Sequence, residues 1–372
     1  MVKLGETNDY GIARWRNDSR FERALASLAD RGGFWKRLYV KYYRRSDPAY
    51  YEKGMELIGR TLESFGRGGG DGDDDLIVDM VYSLHRFGCG FDEYFLFGYP
   101  SLNTEGRESF VTDKSRWALY AELNGETNLG IFSDKYETFK LYRKFFGRQV
   151  VLVGDESDWD GFSRFAENHR RFLVKPVGGC VGRGVQLESS PSAEGRRRAL
   201  FDSMVDEGPM VCEELVEQSE SMAALHPWSV NTVRMPTVRC KSGVEVVAPF
   251  VRMGCGGSVV DNAGAGGIFA SVDESSGIVT SLGIDEFGNS FVRHPDTQMV
   301  VPGFRIPRWD EAVSLVAELS EVLPEVRYIG WDLALTDDGW VVIEGNDNGQ
   351  MIGQMPNRAG VRQRMERLVS DI

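Results

Sequence analysis

Apolar and polar positions follow different periods in different parts of this chain. From residue 19 to about 122 the apolar residues recur at helical spacing, which predicts a helical N-terminal region. From about residue 131 the texture becomes α+β. Residues 134–146 read as a helix with Asp134 as its N-cap, and residues 149–153, 172–174, 210–213 and 278–282 read as short strands. Residues 244–253 read as one longer strand. Residues 307–323 carry Ala312, Val313, Leu315, Val316, Leu319 and Val322 on one helical face, and Pro324 ends the run.

The clearest period-two stretch is residues 330–346. Asp337-Asp338-Gly339 suits a three-residue loop, with Gly339 in the left-handed position. That loop pairs Thr336 with Trp340, and therefore Asp332 with Glu344. One face then carries Asp332, Ala334, Thr336, Trp340, Val342, Glu344 and Asn346. The other carries Trp331, Leu333, Leu335, Val341 and Ile343 as a core face. Two carboxylates opposed at about 5 Å repel and weaken a hairpin unless a cation sits between them. Asp, Glu and an Asn carbonyl are hard oxygen donors, suited to magnesium. A two-residue loop would put Glu344 on the opposite face, so the metal reading rests on register. Taken alone, such a pattern is more often a solvated acidic hairpin end.

A length of 372 residues allows two or three lobes, and 42% hydrophobic with 27% charged residues is ordinary soluble composition. The net charge of −13 argues against nucleic acid as the main partner, because phosphate binding needs clustered positive charge. No apolar run approaches the length of a membrane span, and residues 1–6 lack the apolar core of a signal peptide. Five cysteines without a Cys-x-x-Cys pair suit free, mostly buried thiols in a reducing cytoplasm. His85, His169, His226 and His294 stand apart, which disfavours a zinc site or a Ser-His-Asp triad. Residues 34–45 interleave aromatics with lysine and arginine. That pattern fits a helix at a membrane surface or partner, or a core helix whose basic groups reach water. Residues 66–75 read as a solvated acidic linker, because Tyr82 stands where an EF-hand starting at Asp71 needs its closing Glu.

Several segments carry chemistry. Phe172-Leu173-Val174-Lys175-Pro176 runs into Gly178, Gly179, Gly182 and Gly184, a strand with a lysine at its end and then a glycine-rich loop. Glycines let backbone N–H groups approach a polyphosphate, and the lysine adds a point charge. The lysine precedes the glycines, so this is not a P-loop. Glu213, Glu214, Leu215 and Val216 follow an apolar strand and could meet an adenine edge and a ribose. Asn231 and Arg234 open a further strand. Arg252 and the Asn262 loop, with Gly266 and Gly267, suit a transferring phosphoryl group and its acceptor.

The order of these segments, from Asp134-Lys135 to Asp332, Glu344 and Asn346, resembles the ATP-grasp superfamily over residues 131–356. Residues 227–234, 260–262 and 328–332 resemble its sugar-transfer-associated branch, related to glutamate-ligase-like enzymes. Arg107 to Val111 and Glu122 to Asn124 match that branch more weakly. The resemblance implies an α+β ATP-grasp fold, two lobes clamping ATP, behind a helical N-terminal region. The expected divisions are 1–130 (helical), 131–213 (small lobe with glycine-rich lid) and 214–372 (large lobe with metal site). It also implies ATP and magnesium as cofactors. Lys135 and Lys175 would bind phosphates, Glu213 to Val216 would form the adenine hinge, and Asn231 would lie near the ribose. Arg234, Arg252 and Asn262 would serve the transferring group, and Asp332, Glu344 and Asn346 would hold magnesium. Asn231 stands where ligase relatives usually have Asp, and residues 347–350 depart from the Ser-Pro-Gly common in ligases.

The implied activity is a carboxylate–amine ligase working through an acylphosphate on a small molecule or glycan precursor, in cell-surface glycan or exopolysaccharide assembly. Two alternatives stand beside it. One is a phosphotransferase acting on a sugar hydroxyl, with Asp273 or Asp261 as base. The other is a non-catalytic nucleotide-binding scaffold. A peripheral contact with a membrane or a glycan enzyme is compatible with either.

Overall fold

The computed structural model describes residues 20–67, 73–125, 130–179, 184–258, 261, 264 and 266–372. The chain forms two compact units. One comprises residues up to Glu122 with Ile284–Ser290 and Gln350–Ile372, and the other comprises Leu123–Gly283 and Phe291–Gly349. Residues 350–372 therefore group with the N-terminal helices rather than with the sheet that precedes them.

The first unit is built from helices α1 (Arg20–Ala29), α2 (Gly33–Ser46), α3 (Pro48–Ser64), α4 (Asp73–Phe87), α5 (Phe91–Leu96) and α6 (Thr104–Glu108), and α7 (Arg116–Asn124) leaves it. Asp73, Asp74 and Asp75 open α4 rather than extending an acidic linker. Among the described residues, no helix is long and apolar enough to cross a membrane. Asp79 holds the interior together. It accepts hydrogen bonds from Arg107 (2.7 and 2.9 Å), Lys36 (2.5 Å) and Tyr94 (2.5 Å). Burial opposes its ionisation, and Arg107 and Lys36 outweigh that and keep its carboxyl below the usual range. Residues from the far end of the chain complete the unit. Gln354 both accepts from the Val111 N–H (3.0 Å) and donates to its carbonyl (3.0 Å), and Arg362 donates to the Phe110 carbonyl.

The second unit holds two sheets. Helix α8 (Lys135–Tyr142) starts at Asp134, whose carboxylate accepts from the N–H groups of Tyr136 and Glu137, the cap that the sequence predicts. Four antiparallel strands follow, β1 (Val150–Val153), β2 (Arg171–Pro176), β3 (Gln186–Ser189) and β4 (Met210–Glu214), in the order β1-β4-β2-β3. Helices α9 (Trp159–Asn168) and α10 (Glu194–Glu207) bury Phe162, Phe165, Phe201 and Met204 against Val153 and Phe172 of that sheet. After the short α11 (Glu220–Ala223) comes an eight-stranded sheet. Its strands are β5 (Val233–Cys240), β6 (Gly243–Val246), β7 (Phe250–Met253), β8 (Ile268–Ser271), β9 (Gly283–Ile284), β10 (Ser290–Phe291), β11 (Tyr328–Leu335) and β12 (Trp340–Asn346). The order is β10-β9-β8-β7-β5-β11-β12, and β6 pairs with β5. Helix α12 (Trp309–Ser320) packs Ala312, Val316 and Leu319 on Ile329, Trp331 and Leu333. The terminal helix α13 (Arg362–Ser370) lies in the first unit.

Two strand expectations change. Residues 244–253 form two strands, because Ala248 takes a left-handed conformation (φ 48°) and Pro249 has no N–H for a ladder. Residues 278–282 contribute only isolated bridges, Val272 with Val279 and Ile278 with Arg305.

Candidate functional site

A row of charged side chains crosses the adjacent strands β7, β5, β11 and β12. Asp332 lies opposite Arg234 on one side and Glu344 on the other, so one register places all three. Asp332 is 0% exposed. Arg234 grips it through Nε and, at 2.8 Å, Nη2, and Arg252 Nη2 reaches the same carboxylate at 2.6 Å. Burial works against ionising Asp332, but the two guanidinium groups outweigh it and hold the carboxyl down at about 2. Arg252 Nε donates to Thr232 Oγ1 (2.9 Å) and lies 3.7 Å from Asp261, which accepts from Thr232 N–H (2.8 Å) and Oγ1 (2.5 Å). Beyond Asp332, Glu344 Oε1 sits 4.0 Å from Arg234 Nη2 and accepts from Asn346 Nδ2 (3.2 Å). The Glu344 side chain is 44% exposed, yet its crowded setting and the Asp332 carboxylate beside it push its carboxyl above the usual range. Gly330 leaves room for this row. A Cβ there would come within 3.3 Å of the Arg234 side chain.

The pairing of Asp332 with Glu344 follows the sequence expectation, but the turn does not. Thr336 and Gly339 exchange backbone hydrogen bonds, leaving the two-residue loop Asp337-Asp338, and Leu335 pairs with Trp340. A register shift between Asp332 and Leu333 then returns Glu344 to its place. Leu333 pairs with Val342, so Ile343 is the extra residue of a β-bulge. Trp340 and Val342 consequently join the core with Leu333 and Leu335, where the sequence placed Val341 and Ile343.

A second charged cluster gathers at the end of β4. Glu213 accepts from Lys175 Nζ at 3.0 Å and from Arg148 Nη2 at 2.8 Å. Its burial would raise the carboxyl, but Lys175 and Arg148 together hold it at about 2. Arg148 went unnoticed in the sequence. It also donates to the carbonyls of Val342 (2.5 Å) and Ile343 (3.3 Å), the bulge itself, so one guanidinium joins β4 to the strand that carries Glu344. Lys135 Nζ donates to the carbonyls of Pro176 (3.2 Å) and Gly179 (3.0 Å), at the root of the glycine-rich loop. Gly184 closes that loop at φ 74°, where a Cβ would lie 2.9 Å from Pro176. Gly178 lies on the same loop, whereas Cys180, Gly182 and Asn262 fall outside the described residues.

The sugar-transfer-associated ATP-grasp family matches residues 114–369. The chain belongs to that family. No curated protein matched this ATP-grasp chain. Among solved structures it is similar to the ATP-grasp ligase PsnB complexed with its minimal precursor, at 12% identity and a TM-score of 0.40, over 67% of this chain and 64% of that one. It is also similar to the ADP complex of N5-carboxyaminoimidazole ribonucleotide synthetase (14% identity, TM-score 0.40, 68% and 59% covered). The D-alanine-D-alanine ligase of Helicobacter pylori gives 11% identity and a TM-score of 0.39, with 65% and 61% covered. The match thus spans less than two thirds of those proteins' own length.

An ATP-grasp protein implies magnesium, and the donor set fits it. Among the described residues of the row, the three carboxylates Asp332, Glu344 and Asp261 lie beside two guanidinium groups, those of Arg234 and Arg252, which leaves an excess of negative charge. The raised Glu344 carboxyl marks where a cation would relieve that excess. Other expected residues have different settings. Asn231 is fully buried, and its amide donates to Gln218 Oε1 and to the carbonyls of Met222 and His226, so it ties a loop together. Glu214 accepts from the Gln149 N–H, and Leu215 and Val216 are half-buried after β4. Asn124 pins Tyr328 through both its N–H and its carbonyl, and also donates to the Asp347 carbonyl, fixing β11 beside the residue after Asn346.

The histidines do not all stand apart. The His226 and His294 rings lie 5.4 Å apart, and Cys255 and Asp296 adjoin His294. His294 Nδ1, however, accepts from the N–H groups of Asp296 and Thr297, so Nε2 carries the proton and donates to the Gly254 carbonyl at 2.7 Å. That histidine is a satisfied core residue and has no lone pair for a metal.

Proposed function

We propose that this ATP-grasp chain is an ATP- and magnesium-dependent ligase that activates a carboxylate as an acylphosphate and joins it to an amine. The observation that carries this reading is the row Arg252–Asp332–Arg234–Glu344, four charged groups fixed by strand register beside acidic oxygen donors. Lys135 and Lys175 would hold the ATP phosphates, with Lys175 leaving Glu213 partly or sharing it with them, and Glu213 to Val216 would border the adenine. Glu344 and Asn346, with Asp332 fixed by its arginines, would hold magnesium, which neutralises phosphate charge when bound. Arg234 and Arg252 would face the γ-phosphoryl group. A substrate carboxylate oxygen then bonds to the γ-phosphorus as the bond to the β–γ bridging oxygen breaks and ADP leaves. An amine nitrogen next attacks the carbonyl carbon, the carbon–oxygen bond to phosphate breaks, and the amine gives up a proton. The residues supply position and charge compensation, so no histidine base is needed.

Transfer to a sugar hydroxyl needs a free base. Asp273 accepts from Ser275 Oγ, Ser276 Oγ and Ser276 N–H, which hold its carboxyl down at about 2, and Asp261 is engaged by Thr232. Both settings favour the ligase. The family description supports a place in cell-surface glycan assembly, and the free thiols Cys89, Cys212 and Cys240, all buried, suit a reducing cytoplasm. The test is to incubate the protein with ATP, magnesium and panels of sugar acids and amines, following ADP and free phosphate. The ligase releases both in step only when both acceptors are present. A phosphorylated sugar recovered without free phosphate would establish the phosphotransferase instead.

A further inference from the structure

The aromatic, basic helix α2 presents two unlike faces. Tyr39, Val40 and Tyr43 are buried, and Lys36 turns inward to Asp79. The opposite stripe is Phe34, Leu38, Lys41 and Arg45, whose spacing stacks them on one side of the helix. Phe34 is 72% exposed and Leu38 42%. Phe21 of α1, 60% exposed, sits at the stripe's edge, its ring 5.3 Å from that of Tyr42. Phe34 and Phe21 are the two most exposed large apolar side chains among the described residues. Exposed Arg37, which pairs with Asp75 at 2.7 Å, and exposed Arg44 flank the other edge, and α2 itself contains no acidic residue although the chain carries a net charge of −13.

We propose that this outer face of α2 docks on an anionic lipid bilayer. An aromatic and a leucine side chain beside cations on one exposed helix face match an interface in which rings and aliphatic groups enter the headgroup boundary while cations meet lipid phosphates. Charge complementarity selects the anionic surface and also the orientation. The net negative charge of the chain opposes approach to the same surface, and the cations of α2 favour its face in that approach. Along the stripe the two apolar positions, Phe34 and Leu38, precede the two cations, Lys41 and Arg45, so one exposed helix offers both kinds of contact.

The test uses the full chain without nucleotide, so its outcome is independent of the ligase reading. The protein is sedimented with vesicles of phosphatidylcholine alone or mixed with phosphatidylglycerol. Binding is expected only to the mixed vesicles, with release as salt rises from about 0.05 to 0.5 M. Lys41→Gln with Arg45→Gln should weaken binding about tenfold or more. Phe34→Ser with Leu38→Ser, which leaves the charge unchanged, should also weaken it several-fold. All four positions are exposed, so the variants should melt like the parent. The proposal is overturned by equal binding to both vesicle types, by no binding to either, or by double variants that bind like the parent. Binding to heparin or an acidic peptide with none to vesicles would assign the face to another polyanion and likewise overturn it.

Discussion

Asp347 is a buried carboxyl that the proposed chemistry leaves unused. It is 3% exposed, and its Oδ2 has no hydrogen-bond partner among the described residues. Burial pushes its carboxyl up to about 6. With an unfolded value near 3.9, the group favours the fold fully at low pH and loses that contribution as pH rises through 6, a loss of about 2 kcal/mol or more by pH 7. Asp347→Asn should therefore raise stability at pH 7 in magnesium-free buffer and change it little near pH 4. Denaturant midpoints at the two pH values check this, and an equal effect at both would refute it. Glu213 has the opposite sign. Its carboxyl is held at about 2, so its contribution is complete above the unfolded value near 4.3 and fades as pH falls toward 2. Glu213→Gln leaves Lys175 and Arg148 buried without their partner. It should cost about 3 kcal/mol at neutral pH and much less in acid, as acid-unfolding curves would show.

At the scale of the element, the bulge at Ile343 shows what a sequence conveys and what it hides. The facing of Asp332 and Glu344 agrees with the sequence reading but arises differently, because the extra residue at Ile343 offsets a turn one residue shorter than the one the reading used. The turn was not legible, because Asp337-Asp338-Gly339 suits two loop lengths and backbone energy separates them only slightly. One signal was available. Val341-Val342-Ile343 puts three apolar residues where alternation demands a polar one, as an inserted residue would. Arg148 left no such trace, since a single arginine ahead of a strand is indistinguishable from a surface charge until Glu213 and the bulge carbonyls surround it. The burial of Asn231 was hidden for the converse reason, as a loop closed by Gln218 withdraws it from the surface. The β11 strand also sets the space around the charged row. Gly330→Ala should crowd Arg234, lowering turnover at least tenfold and stability by about 1 kcal/mol, with little change in ATP affinity. Turnover equal to that of the parent would refute the close approach.

For the whole molecule, the two units make a prediction about where a nucleotide acts. Every residue proposed to touch ATP or magnesium lies in the second unit. Saturating ATP with magnesium, at about 100 times its dissociation constant, adds about 2.7 kcal/mol to whatever unfolds with the site. Amide hydrogen exchange should slow in β2, β4, β11 and β12, while α1 to α4 exchange at their own rate. Equal slowing throughout would mean that the units open as one. The threading of the chain has a consequence for its biosynthesis. Val111 waits for Gln354, and Phe110 for Arg362, across more than 240 positions of sequence. The helices of the first unit therefore stay unfinished until residues 354–362, made more than 240 positions later, have emerged. They must remain soluble through that interval by chaperone protection or by provisional packing of their own.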